Sequence, residues 1–288
     1  MELRCPNLRE EIMYEILKKM ELASEIKLLE ISAPLIAKTA KAGQFVIVRV
    51  HDKGERIPLT IADWDCINGI ITLVFLEVGL STKLLGALEV GDKIVDVSGP
   101  LGNPSVVKKY GKVAVVCGGV GAAAAYNITK ALKAVGNTIV SIIGARTAEQ
   151  LVFESNLKQY SDEQHVSTDD GTKGHKGVVT AVLKKLVENN YNFDLVYAIG
   201  PPLMMKDVVK FTKSHGLSSI VSLNTIMVDG CGMCGACRIT VGDQTKFACI
   251  DGPEFDGDII DFDELSQRLE VYKQKEVQAL ENFEGKKV

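Results

Sequence analysis

The chain has 288 residues, 46% of them hydrophobic and 24% charged, with a formal net charge of -4 and a pI near 5.7. That length holds two domains and a small appendage. The acidic balance offers no basic face for nucleic acid, and a single Trp supplies no stacking platform for single strands. The chain opens without a charged-then-apolar signal, and no apolar run reaches membrane-span length. A cytoplasmic, reducing setting is therefore expected. Seven cysteines are too sparse, and odd in number, for a disulfide framework.

Residues 1 to about 100 read as short strands with Gly and Pro punctuation, the pattern of an antiparallel barrel. Residues 43–50, 69–78 and 91–97 are the strand candidates, and Ser81 to Leu88 a short helix. The first dozen residues are polar and expected to be loosely held or to lie on a partner. Arg56-Ile-Pro-Leu-Thr-Ile61 combines a cation, a rigid turn and a hydroxyl. Read alone, its proline demotes it to an edge strand. Glu77-Val-Gly-Leu-Ser-Thr82 runs straight into the short helix, a plausible phosphate cradle.

From about residue 110 strand and helix alternate, which predicts a parallel α/β sheet. Val113–Val116, Thr138–Ile143 and Leu195–Ile199 are its strands. Helices are expected through Ala134, over Val178–Val187 and over Met204–Ser214. The first strand runs into Cys117-Gly-Gly-Val-Gly121. A glycine-rich turn between strand and helix leaves room for a pyrophosphate beside helix N–H groups. Gly200-Pro-Pro-Leu-Met-Met205 and Gly144-Ala-Arg146 end strands at the same sheet edge, where open parallel sheets bind ligands. Arg146 suits either a nucleotide phosphate or a surface ion pair. Asp169-Asp170-Gly171 reads as a turn. His51, His165, His175 and His215 do not cluster.

Met227-Val-Asp-Gly-Cys-Gly-Met-Cys-Gly-Ala-Cys-Arg238, with Cys249 a short hairpin later, concentrates thiols in a glycine-rich loop. Zinc sites usually place two Cys-x-x-Cys knuckles apart. Thioredoxin-like redox chemistry needs no third thiol. A tight Cys group with one remote Cys fits a 2Fe–2S cluster, with structural zinc the competing reading. Gly230, Gly232 and Gly235 let backbone N–H groups approach sulfur. Cys234, Cys237 and Cys249 are three ligand candidates. Spacing leaves the fourth open between Cys231, three residues before Cys234, and Asp229, five before it. The segment after Asp263 reads as a charged surface helix.

In this order, the motifs resemble the ferredoxin-reductase-like electron-transfer subunits, the group that includes dihydroorotate dehydrogenase electron-transfer subunits. The branch most similar comprises small subunits of electron-bifurcating NADH-dependent ferredoxin:NADP oxidoreductases, also called sulfide dehydrogenases. Met227-Val-Asp-Gly, Gly232-Met-Cys-Gly-Ala-Cys237, residues 246–257 and Gly144-Ala-Arg-Thr147 carry that likeness.

The resemblance implies an FAD-binding antiparallel β-barrel over 1–105 and a parallel α/β NAD(P)-binding domain over 106–222. It also implies a 2Fe–2S module over 223–262 and a tail over 263–288. It maps FAD binding onto Arg56, Pro58, Leu59 and Thr60, with the Thr60 hydroxyl at the reactive flavin edge as the catalytic group. The flavin phosphate region maps onto Leu76, Val78, Gly79, Ser81 and Thr82. The dinucleotide site maps onto Gly118, Gly119 and Gly121, flanked by Gly144, Arg146, Gly200, Pro201 and Met204. Asp229, Cys234, Cys237 and Cys249 are the implied cluster ligands, with Cys231 the alternative to Asp229. NAD(H) is the implied nucleotide, and a larger flavin and iron–sulfur subunit the implied partner of an oxidoreductase heterodimer. Two departures stand out: Cys117 where the family has a third Gly, and Ala124 where it has Pro. Alternatives are a dihydroorotate-dehydrogenase-type subunit, a stand-alone sulfide, polysulfide or flavin reductase, or a zinc-stabilised nucleotide sensor.

Overall fold

The computed structural model describes residues 14–285. The expectation for the first dozen residues lies outside that range. The first lobe holds β1 (Tyr14–Ala23), β2 (Ile26–Ser32), α1 (Pro34–Thr39), β3 (Phe45–Arg49), β4 (Arg56–Asp65), β5 (Ile70–Leu76), α2 (Leu80–Gly86), β6 (Lys93–Ile94) and β7 (Asp96–Leu101). The strands form one antiparallel sheet in the order β6-β1-β2-β5-β4-β3-β7. The two edges, β6 and β7, are separated in sequence by Val95 alone, so the sheet curls into a nearly closed barrel. Its interior is filled by Ile16, Leu29, Ile31, Val46, Val48, Ile61, Ile71 and Leu73. Each such fully buried aliphatic side chain contributes about 1.5–3 kcal/mol.

The edge-strand reading of Arg56–Ile61 is corrected. β4 is interior, paired with β5 on one side and β3 on the other. Pro58 sits opposite Ile47, and the two neighbouring strands keep the segment in the sheet despite the missing donor. β1 and β2, absent from the sequence reading, lack clean alternation: Ile16 and Leu17 are adjacent in one and Leu28 and Leu29 in the other, with charged residues between the apolar ones.

The second lobe contains β8 (Lys112–Gly118), α3 (Gly121–Ala134), β9 (Thr138–Ala145), α4 (Glu154–Gln159), β10 (Glu163–Thr168), β11 (His175–Lys176), α5 (Val179–Glu188), β12 (Leu195–Ile199), α6 (Pro202–Ser214) and β13 (Ser219–Ser222). The parallel order is β11-β10-β9-β8-β12-β13. From β8 the chain builds outward to β11, then returns to place β12 on the other flank. The topological switch point therefore falls between β8 and β12.

Two apolar layers cover the sheet. Val182, Leu183, Met205 and Val208 of α5 and α6 pack on Ala114, Val116, Val196 and Ala198. On the opposite face, Ala122, Ala125, Ile128 and Leu132 of α3 join Val113, Val115, Tyr197 and Ile199. The same cluster takes in Ile26, Leu28, Ala62 and Val74 of the barrel. Helix α3 is thus the apolar filling between the two lobes.

The remaining chain forms β14 (Arg238–Val241), β15 (Gln244–Phe247), α7 (Ala248–Asp251), β16 (Glu254–Asp256), α8 (Phe262–Leu269) and α9 (Lys273–Glu284). β16 adds antiparallel to β13, so the cysteine segment extends the nucleotide sheet. The Asp261 carboxylate caps α8, accepting the N–H groups of Asp263 and Glu264. The tail is two helices rather than one, broken around Glu270–Tyr272.

Candidate electron-transfer site

Pairing register decides which side chains share a face of the barrel. Arg56, Pro58 and Thr60 of β4 lie opposite Arg49, Ile47 and Phe45 of β3. The alternate residues, Val46, Val48, Ile57 and Leu59, belong to the barrel core. The outer face therefore carries Arg56, Pro58 and Thr60 together, while Leu59 offers that face only its backbone. Arg56 is held from behind. Its guanidinium donates to Asp96 Oδ2 at 3.1 Å, Arg49 Nε lies 3.9 Å from the same oxygen, and Ser98 donates to Oδ1 at 3.3 Å. Two cations share one carboxylate, leaving positive charge on that face.

The segment into α2 is organised by Thr82, whose hydroxyl accepts the Gly79 N–H at 3.0 Å and donates to the Gly79 carbonyl. Ser81 donates to Glu55, next to Arg56, at 3.4 Å. Val78 is 69% exposed. Leu76 instead packs into the core between barrel and α3, so only its main chain is open to a ligand there.

The nucleotide loop is assembled by close backbone approach. A Cβ on Gly121 would lie 2.5 Å from the Ile199 carbonyl oxygen and 3.0 Å from Gly200 Cα. Gly119 has φ +56 with open space where a side chain would project. A Cβ on Gly118 would meet Met204 Sδ at 2.8 Å and Pro201 Cδ at 3.2 Å. Gly119 N–H donates to the Gly144 carbonyl at 2.9 Å. Gly118, Gly119, Gly121, Gly144, Gly200, Pro201 and Met204 thus meet at the switch point. No side chain caps α3; the Ala122 and Ala123 N–H groups turn back onto the Gly119 and Val120 carbonyls at 3.2 and 3.0 Å, and the positive end of the helix dipole still points at the loop. Arg146 is exposed two residues on from Gly144, and its carbonyl accepts the Asp170 N–H at 3.2 Å.

Cys117 does not crowd this loop. Its side chain is buried in the α3 core, its thiol 3.7 Å from the Ile142 carbonyl, and burial pushes its pKa up to about 12. It is an inert core thiol.

The cysteine loop seats on the outer face of β3. Phe45 and Ile47 form one apolar cluster with Met227, Cys237, Ala248 and Cys249, extended by Leu101 and Phe247. Gly230, at φ +73, has no room for a side chain, since a Cβ would lie 2.5 Å from Leu101 Cδ1 and 3.0 Å from Ile47 Cγ1. Asn103, just past β7, donates to the Ile250 carbonyl at 3.0 Å and ties the loop down from the barrel side.

The donor set falls into two pairs. Cys237 and Cys249 are both buried, and the Cys249 N–H donates to Cys237 Sγ at 3.4 Å. Burial, with the adjacent Cys237, pushes the Cys249 thiol up to about 12. Asp229 and Cys234 form the other pair, the Cys234 N–H donating to Asp229 Oδ2 at 2.7 Å. Burial of Asp229 is outweighed by N–H donation from Cys231 and Cys234, which holds its carboxyl below the ordinary value. Cys231 is exposed, its N–H donating to Asp229 Oδ1 at 3.1 Å. Among the described residues no three ligand-type side chains converge as a cage for a single ion. Two buried thiols, with a carboxylate and a third thiol on the same glycine-rich segment, are a donor set whose chemistry suits an iron–sulfur cluster.

Several residues of this arrangement escaped the sequence reading. Phe45 and Ile47 join the site through contacts some 190 positions away in sequence. Asp96 carries no motif. Asn127, in the middle of an alanine-rich helix, had one usable signal: Asn is a poor interior helix former, and there it is 2% exposed.

Residues 224–261 match the iron–sulfur cluster binding domain of dihydroorotate dehydrogenase B, and residues 115–210 match the oxidoreductase NAD-binding domain. Fold and site define an oxidoreductase chain of the ferredoxin-reductase type, with FAD, an iron–sulfur cluster and NAD(H) as its cofactors. The chain belongs to the dihydroorotate dehydrogenase B electron-transfer subunit family: it is 48% identical, over 93% of its length and 95% of the relative's, to an electron transfer subunit homolog of dihydroorotate dehydrogenase B (NAD(+)) from Thermotoga maritima. An electron transfer subunit of the same enzyme from Fusobacterium nucleatum is 32% identical, covering 83% of this chain and 93% of that one. A solved structure of an NADH-dependent reduced ferredoxin-NADP oxidoreductase, described for flavin-based electron bifurcation, superposes with a TM-score of 0.90. It is 46% identical and covers 96% of this chain and 99% of its own. A Neisseria gonorrhoeae ferredoxin NADP+ reductase, 18% identical with a TM-score of 0.57, shares the fold. No helix among the described residues is long and apolar enough to cross a membrane.

Proposed function

We propose that the chain is the electron-relay subunit of a bifurcating NADH-dependent ferredoxin:NADP oxidoreductase, working with a larger flavin and iron–sulfur subunit. One observation carries the reading. The strand face bearing Thr60 and the wall seating Cys237 and Cys249 are the same outer surface, one strand apart. The likeness to the bifurcating oxidoreductase supplies the class of assembly. The relatives named as electron transfer subunits of dihydroorotate dehydrogenase B make a dihydroorotate-oxidising partner the second reading.

In this proposal the domains divide after 105, 222 and 262. Gly118, Gly119 and Gly121 admit the nucleotide pyrophosphate to the head of α3, with Gly144 and Arg146 toward the adenosine end. Gly200, Pro201 and Met204 wall the nicotinamide end. Arg56, steadied by Asp96, and the Gly79–Ser81–Thr82 turn hold the flavin phosphates, with Leu76, Val78 and Leu59 contributing main chain. Pro58 lies along the flavin, and Thr60 presents its hydroxyl to the reactive edge. Asp229, Cys234, Cys237 and Cys249 hold the iron, while Phe45, Ile47 and Leu101 keep water out between the two sites. Bound FAD supplies the conversion between two-electron and one-electron chemistry, and the cluster carries single electrons.

The test is activity with and without a partner. The purified chain is expected to contain FAD and be reduced by NADH, yet to show no ferredoxin:NADP turnover alone. Full turnover by the isolated chain contradicts the relay-subunit reading.

A further inference from the structure

We infer that Asn127 is a positioning residue for flavin reduction by the nicotinamide nucleotide, fixing the Thr60 end of β4 relative to the dinucleotide loop at the head of α3. The inference rests on the flavin assignment proposed above.

The β3–β4 ladder runs from Arg49 opposite Arg56 to Phe45 opposite Thr60. One step further, Ile61 N–H still donates to the Gln44 carbonyl at 3.1 Å. Beyond that the strands splay, and the β4–β5 register shifts between Ile61 and Asp63. The Gln44 N–H, which the register would pair with the Ile61 carbonyl, turns to the Lys41 carbonyl at 3.3 Å, leaving the Ile61 carbonyl and the neighbouring Gly43 N–H to be met from elsewhere. The Asn127 amide fills both places. Its Oδ1 accepts the Gly43 N–H at 3.3 Å, and its Nδ2 donates to the Ile61 carbonyl. The donor and acceptor demanded at each end fix the amide orientation. A side chain from the nucleotide lobe thus stands in for a peptide unit of the flavin-lobe sheet, next to Thr60.

Three features make this more than a packing contact. Asn127 is 2% exposed, so both bonds are made away from water, where an unmet partner is costly. Its helix begins at Gly121, six residues earlier, so one rigid element carries the dinucleotide loop at its head and the clasp on Thr60's neighbour behind. The clasp is polar and directional, unlike the Ala and Ile contacts around it. Any shift of α3 along the barrel would break both bonds at once. Hydride transfer needs the two rings held at near-attack distance, and about 1 Å of misplacement costs on the order of 100-fold. The charged groups bridging the same two elements are Lys130 and Asp63, 3.5 Å apart and partly exposed, a looser tie one turn on.

The experiment uses the full chain loaded with FAD. Flavin content, the visible circular dichroism of the flavin and the stopped-flow rate of FAD reduction at saturating NADH are compared among wild type, Asn127→Leu and Asn127→Asp. Asn127→Leu is expected to keep its FAD within about twofold and its NADH affinity within a few-fold, and to lose about 10- to 100-fold in the limiting reduction rate, with a changed flavin dichroism. Asn127→Asp reproduces both bonds only when its acid is protonated, a form burial favours. Its rate is expected near wild type at low pH and lost as pH rises, in a step wild type lacks. That pH step decides the matter alone if the Leu variant does not fold. Variants that retain FAD and reduce at the wild-type rate across pH overturn the inference, as does loss of FAD with no change in the rate of the flavin still bound. A wild-type chain that binds no FAD overturns the flavin assignment instead.

Discussion

Phe45 and Thr60 stand directly opposite each other in the β3–β4 ladder, and Phe45 is buried in one apolar cluster with Cys237 and Cys249. One rung of a β-sheet therefore links the position proposed for the flavin edge to the thiols proposed for the iron. The relation is rigid because both strands are interior to the barrel sheet. The cysteine loop cannot lift from it without opening the Gly230 contact with Leu101 and Ile47.

Replacing Phe45 with Ala removes the centre of that seal. A buried Phe-to-Ala change costs about 3–5 kcal/mol, so urea unfolding is expected to shift by that order. Water also gains access to the Cys237–Cys249 pair. Cluster absorbance in air is expected to bleach several-fold faster than in wild type. An unchanged bleaching rate contradicts the shielding role.

Thr60→Val keeps the shape of the strand and removes the hydroxyl. Flavin content is expected to hold, while NADH-driven flavin reduction slows about 10-fold, the equivalent of one lost hydrogen bond of about 1.4 kcal/mol. Stopped-flow absorbance at saturating NADH measures it.

Gly121→Ala places a Cβ 2.5 Å from the Ile199 carbonyl oxygen, so the head of α3 must move off β12. The nucleotide loop moves with it. The KM for NADH is expected to rise 10-fold or more, equivalent to about 1.4 kcal/mol, with FAD still bound.

Glu254 supplies a pH test. Burial pushes its carboxyl above the ordinary value, partly offset by the Ser105 hydroxyl that donates to it and by Tyr197. The folded chain therefore binds this proton more tightly than the unfolded chain. Stability linked to it is fully present below the ordinary carboxyl pKa of 4.5 and declines as pH rises through the elevated folded value. Glu254→Gln removes that slope. Urea midpoints for wild type and Glu254→Gln are expected to diverge in favour of the variant as pH is raised from about 4 to neutrality. Parallel midpoints contradict the assignment.

The nucleotide lobe was the more legible half. Leu195–Ile199 is an unbroken apolar run, and the structure has it as β12 with those bounds; Gly118 to Gly121 announced the turn it makes. β10 and β13 were not read, because β10 is largely polar and β13 is four residues long. The barrel was legible in class and in part of its elements: the expected strands at 43–50 and 69–78 and the helix from Ser81 are β3, β5 and α2, while β1 and β2 were not read. Pro58 argued for an edge, and β3 and β5, the preceding and following strands paired on either side of β4, overrule that local preference. The candidate site divides similarly. Cys234, Cys237 and Cys249 declare their chemistry by spacing, whereas Asp229 is preferred to Cys231 only on the family resemblance. That Cys237 and Cys249 seat against Phe45, and that Asn127 clasps Ile61, are long-range contacts that no local pattern encodes.

The most direct measurement is iron and acid-labile sulfide on anaerobically purified chain, with the reduced EPR spectrum, for wild type, Asp229→Ala and Cys231→Ala. Equal iron and sulfide, with a spectrum altered in Asp229→Ala and unchanged in Cys231→Ala, is the predicted result. Zinc without sulfide would contradict the electron-relay account at its root.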